Sequence, residues 1–107
     1  MRRLKRSECC ILPLVLKRKW YEMIASGEKL EEYRDATPYW ETRINNWAND
    51  GRCCVIEFRN GYARNAPRMV YEACLQWMWC ESEHPDWGEP DDPHYVIALG
   101  ERIILED

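Results

Sequence analysis

Between residues 27 and 34 the chain reads Gly-Glu-Lys-Leu-Glu-Glu-Tyr-Arg, and three of its charges are spaced for joint work. In an extended strand, residues two apart point to the same face. Glu32 and Arg34 would therefore stand side by side, with Lys29 at the mouth of the same strand. A Lys and an Arg flanking one carboxylate can hold a phosphate or the polar edge of a base. The planar guanidinium bonds two acceptors at once, and the ammonium acts as a point charge. The plainer reading is an Arg–Glu pair that pins the strand, with its charges in water, where such pairs contribute little.

The flanking segments must hold those charges in place. Cys9 to Leu16 is apolar around a central Pro13, which suits an edge strand. Lys17 to Ala25 follows with Trp20, Met23 and Ile24 at helical spacing, and Gly27 can end that helix in a left-handed conformation. Leu30 to Arg34 then runs as a second strand. Thr37 before Pro38 reads as the cap and first position of a helix to about Ala48. Its residues Trp40, Ile44 and Trp47 share one side.

A second polar group surrounds Asn60-Gly61, a hairpin-type turn signal after the strand Cys53 to Phe58. Asn60, Tyr62 and Arg64, with Arg68 just beyond, offer amides, a stacking ring and cations, the side chains that read and stack single-stranded bases. An ordinary polar hairpin accounts for them equally well. Met69 to Trp79 alternates, with Met69, Tyr71, Ala73, Leu75 and Trp77 on the apolar face. Glu81 to Pro93 holds three prolines, a glycine and six acids and reads as a loop. Tyr95 to Leu99 and Arg102 to Leu105 read as two short strands about a Gly100-Glu101 turn. Trp40 and Trp77 are expected in the core, and Trp87, in its polar loop, is a candidate cap for a cleft. His84 and His94 have no evident Ser or Cys partner, so a Ser-His-Asp reading has no support.

At 107 residues the chain suits one domain, here residues 9–107 behind a loose basic arm, residues 1–8. The net charge of −4 argues against a general DNA coater, but it is unevenly spread. Residues 1–70 carry 14 of the 15 Lys and Arg, and residues 71–107 carry 10 of the 19 Asp and Glu. A basic surface on the first part can therefore still attract an anion. Six Trp and six Tyr against one Phe favour a core with a wet edge or a platform for bases. The six cysteines include two adjacent pairs, a poor disulfide framework, with no secretory or membrane-spanning segment. A cytoplasmic protein with reduced thiols is expected. The cysteine spacings match no standard zinc knuckle, so neither metal nor cofactor is expected.

The pattern Gly27-x-Lys29-x-x-Glu32-x-Arg34, behind a Leu-rich strand and a helix, resembles the ASCH domain (activating signal cointegrator homology) of the PUA-like superfamily. The likeness is to its small stand-alone bacterial or phage-type members and extends over about residues 11–105. It implies an α+β fold: a small mixed β-barrel of five or six strands, with two helices near the N-terminal half. A cleft would gather Lys29, Glu32 and Arg34. The family is associated with RNA or modified nucleosides, so the resemblance implies an RNA, nucleoside or nucleotide partner.

Related amidohydrolases remove the acetyl group of N4-acetylcytidine, and their catalytic Lys falls on Lys29. Their Thr nucleophile falls on Glu32, where a carboxylate would have to serve as base for a water. Three functions are thus in play. A binding module would use Lys29, Glu32 and Arg34, with Asn60, Tyr62, Arg64 and Arg68. An amidohydrolase would use Lys29 and Glu32. A protein-interaction module would use the Trp-rich, acidic second part.

Overall fold

The computed structural model describes residues 1–107. It is an α+β protein in which two helices pack on a six-stranded mixed sheet. The strands are β1 (Arg2–Lys5), β2 (Cys9–Leu16), β3 (Glu31–Asp35), β4 (Cys53–Asn60), β5 (Arg68–Trp79) and β6 (His94–Glu106), with α1 (Arg18–Ala25) after β2 and α2 (Pro38–Ala48) after β3. The order across the sheet is β1-β6-β5-β4-β2, and β3 also pairs with β6. The two ends, β1 and β2, share no ladder, so the sheet is not closed into a barrel.

β2 lies at one end of the sheet, parallel to β4 with Cys9 opposite Cys53. That position is why Pro13 is tolerated there, because an end strand has one row of N–H groups free of ladder duty. Leu12, Leu14 and Leu16 are buried in one core with Ile44, Trp47, Ile56, Phe58 and Met69. The Trp47 indole N–H lies 3.0 Å from the Cys10 carbonyl and 3.1 Å from that of Val55, which pins α2 over the β2–β4 pair. Cys9, Val55, Val70 and Ile103 form a second small core, so the Val70 side of β5 is covered as well.

Four expectations are corrected. Residues 1–8 are not a loose arm: Arg2–Lys5 pair in parallel with Ile103–Glu106, satisfying the backbone along that edge of β6. The last two strands are one. β6 continues through Gly100-Glu101, where Tyr71 faces Arg102 but Ala73 faces Leu99, so β6 carries an extra residue there and bends without ending. Asn60-Gly61 is not a tight hairpin turn. Residues 61–67 bridge β4 and β5, closed by Asn60 N–H on the Pro67 carbonyl. Trp77 is not in the core. A second bulge, between Leu75 and Trp77, ends the inward alternation, and Trp77 is 47% exposed.

Candidate binding cleft

The end of α1 aims the first functional side chain. Gly27 has φ +84°, with its N–H on the Ile24 carbonyl and the Glu28 N–H on that of Met23. This double bond pattern stops the helix and satisfies its last carbonyls. The Lys29 N–H reaches Met23 as well, so the lysine leaves the helix end in a set direction. β3 follows, held by an antiparallel ladder in which Glu32 faces Ile97 and Arg34 faces Tyr95.

Lys29, Glu32 and Arg34 meet at the floor of a cleft of about 500 Å³. Lys29 Nζ is 3.4 Å from Glu32 Oε1, and Arg34 Nη1 is 3.3 Å from Glu32 Oε2. The charges are not solvated: Lys29 is 2% exposed and Glu32 4%. Lys29 donates to the Trp87 carbonyl, and its ammonium lies 4.6 Å from the Tyr33 ring centroid and 5.2 Å from that of Trp20. Burial pushes the Lys29 amine below its ordinary range, and Arg34 adds to this, while Glu32 opposes it. Arg34 donates to the carbonyls of Tyr33 and Val15 and lies 5.2 Å from the Trp40 ring.

Glu32 is the unusual member. Its Oε1 accepts the Tyr33 N–H at 2.9 Å, but its Oε2 is buried without a hydrogen bond despite the nearby Arg34. A buried polar atom left without a partner costs free energy, about 1–3 kcal/mol in typical cases. The floor of the cleft thus carries two cations against a single carboxylate, a surplus of positive charge. Its walls are aromatic, with Trp20, Tyr33, Tyr39, Trp40 and Trp87 lining it and Tyr62, 87% exposed, at the rim.

The wall carrying Trp87 comes from the acidic loop, which is tied down rather than loose. Glu89 Oε1 accepts the N–H groups of Glu83 and His84 at 2.7 and 2.9 Å. Its Oε2 is 2.7 Å from His94 Nε2, and His94 Nδ1 is 2.6 Å from the Asp92 carbonyl. With an acceptor at each ring nitrogen, a proton must lie in both contacts. Burial raises the Glu89 carboxyl, but the His94 bond and the two N–H donors outweigh it and hold the group below its ordinary value. His84 stacks on Trp87 at 4.0 Å between centroids, and the His94 ring meets Tyr33 edge-on. Gly88 has φ +84°, and a β-carbon there would lie 2.8 Å from the Trp20 indole. Glycine lets Trp20 and the loop close on each other.

Of the seven residues expected in the site, Lys29, Glu32, Arg34 and Tyr62 line this cleft. Asn60, Arg64 and Arg68 do not. Asn60 ends β4 with its backbone on Pro67, and Arg64 projects from the 61–67 bridge into solvent. Arg68 sits across from Arg59 on the ladder and lies 3.7 Å from Glu57, whose other oxygen takes Arg6. Trp20 and Tyr33 were not singled out as cleft residues. Tyr33 lies within the charged stretch, and Trp20 shows in the sequence only as part of the helical stripe of α1. No group of three or more His, Cys, Asp or Glu side chains is arranged to hold a metal. All six cysteines are free, and no helix is long and apolar enough to cross a membrane. No protein-family model, curated protein or solved structure matches the chain.

Proposed function

We propose that this protein is a nucleotide-binding module of RNA type, with the ASCH-like pattern Gly27-x-Lys29-x-x-Glu32-x-Arg34 at its working centre. The observation that carries the reading is the Lys29–Glu32–Arg34 cluster, two cations to one carboxylate at the floor of a cleft with aromatic walls. A nucleobase would enter between the aromatic walls. Its ring would stack on an aromatic wall. A phosphate would offset the surplus positive charge of Lys29 and Arg34. A cytoplasmic setting, where the six thiols stay reduced, belongs to this reading.

One observation favours a second reading, deacetylation of an N4-acetylcytidine-type nucleoside. The Lys29 amine is lowered by burial and lies 3.4 Å from Glu32, the arrangement of a working acid–base pair. Glu32 would take a proton from water, and the resulting hydroxide would add to the acetyl carbonyl. The C–N bond would then break, with the departing amine taking back the proton held by Glu32, to leave acetate and cytidine.

Tryptophan fluorescence tests both readings, because Trp20, Trp40 and Trp87 line the cleft. Wild type and Lys29→Ala are titrated with a short single-stranded RNA and separately incubated with N4-acetylcytidine. The expected result is quenching by RNA that weakens with salt and is absent in the variant. Acetate release lost in the variant would instead favour the hydrolase. A wild type inert to both overturns the cleft reading and turns attention to protein partners at the exposed Trp77, Met78 and Trp79.

A further inference from the structure

A second cavity, of about 420 Å³, adjoins the cleft, and Pro13, Tyr39 and Trp40 line both. Each is of the size that holds a small ligand, about 300–1,000 Å³. The second is built between β2 and the outer side of α2. Residues four apart on a helix share a face, so Arg43 lies over Tyr39. Its guanidinium carbon is 3.5 Å from the Tyr39 ring centroid, and its Nη1 donates to the Tyr39 carbonyl at 3.1 Å. The two rings form a step, with Tyr39 edge-on to Trp40 at 4.9 Å.

This arrangement repeats the one in the cleft. There a guanidinium, Arg34, is set against Trp40, and next door Arg43 is set against Tyr39. A guanidinium held against a ring offers a flat cationic face for a base and free N–H groups for a phosphate. The unit is duplicated in adjoining cavities, which suits a ligand that is itself a repeat of base and phosphate. A peptide adding to the sheet is less well served. β2 is the end strand, but Pro13 removes an N–H in the middle of its edge. Arg43 is the only cation lining the second cavity, and it has no carboxylate partner. Asp50, at the same cavity, is tied to Arg52 at 2.7 and 3.0 Å. Nothing there would hold a further phosphate.

We infer that the second cavity is a subsite for one neighbouring nucleotide, so that the protein takes a dinucleotide segment of a single strand rather than a free mononucleotide. The inference rests on the nucleotide reading of the cleft. It makes Arg43 a ligand-binding residue of the second subsite alone, since Arg43 does not line the cleft.

The test is a calorimetric titration of wild type and Arg43→Ala with cytidine monophosphate and with the dinucleotide CpC. Arg43 is exposed, so the variant should fold, which circular dichroism checks. Wild type should bind CpC about tenfold or more tightly than the mononucleotide, the order that one stacked base contributes. Arg43→Ala should lose that gain and keep its mononucleotide affinity. Equal affinity of wild type for the two probes, or an undiminished CpC gain in Arg43→Ala, overturns the second subsite and leaves the cleft reading standing. Binding of neither probe overturns both.

Discussion

Two buried charge clusters lie within reach of the same Tyr33 ring, and they are finished differently. Glu89 and His94 form a closed pair. Both carboxylate oxygens and both ring nitrogens have partners within the chain. Lys29, Glu32 and Arg34 form an open cluster, with two cations to one carboxylate and one oxygen left without a hydrogen bond. A closed pair makes sense as structure, because each of its polar atoms has its partner inside the protein. An open cluster leaves part of the desolvation cost standing, and its surplus positive charge can be offset by an incoming anion. The contrast separates two jobs that the sequence shows as the same kind of residue. Glu89 and His94 hold a wall in place, and Lys29 and Arg34 leave the cleft floor with a surplus of positive charge.

Breaking the closed pair should give the largest effect. Glu89→Ala leaves His94 buried without its carboxylate and frees the Glu83 and His84 N–H groups, so a loss of about 3–5 kcal/mol in chemical denaturation is expected. The same carboxyl sets an acid limb. Its folded value lies below the ordinary 4.5, so its contribution is fully present above that pH and disappears as the pH falls through the folded value. Glu89→Gln should flatten that limb, and an unchanged acid profile would mean that the pair is not what secures the loop.

The contact between the two regions comes next. Gly88→Ala forces a side chain into a left-handed conformation and against the Trp20 indole, at an expected cost of about 2–4 kcal/mol. Because the strain falls on the cleft wall, ligand-induced tryptophan quenching should weaken as well. A variant of full stability would show that the loop does not close on α1 as described.

The open cluster should show the smallest effect on folding. Lys29→Met removes an ammonium whose amine is lowered by folding, so its charge is a net cost at neutral pH, and Glu32 keeps Arg34 as partner. Stability should change by less than about 1 kcal/mol, with the lost bond to Trp87 on one side and the relieved desolvation on the other. RNA binding should nevertheless vanish. A large loss of stability would move Lys29 into the same structural class as Glu89 and dissolve the distinction.

What the amino-acid order determined by itself is short in range. The helix stop at Gly27, the side-by-side placement of Glu32 and Arg34, and the Thr37-Pro38 helix start each follow from backbone geometry over a few residues. They stand where that geometry puts them. The α+β class was legible for the same reason, from alternation and helical spacing.

Tertiary structure decided the rest. The partner of Lys29 is a carbonyl 58 positions away, on a loop whose composition suggests only turns. Two bulges turned Trp77 outward and made one strand of two, because register is set by the neighbouring strand and not by the strand's own sequence. Burial, finally, is a property of the packed whole. Only there do Trp20, Tyr33 and Trp87 enclose Lys29 and Glu32, turning charges that could have faced water into a desolvated cluster with a surplus cation.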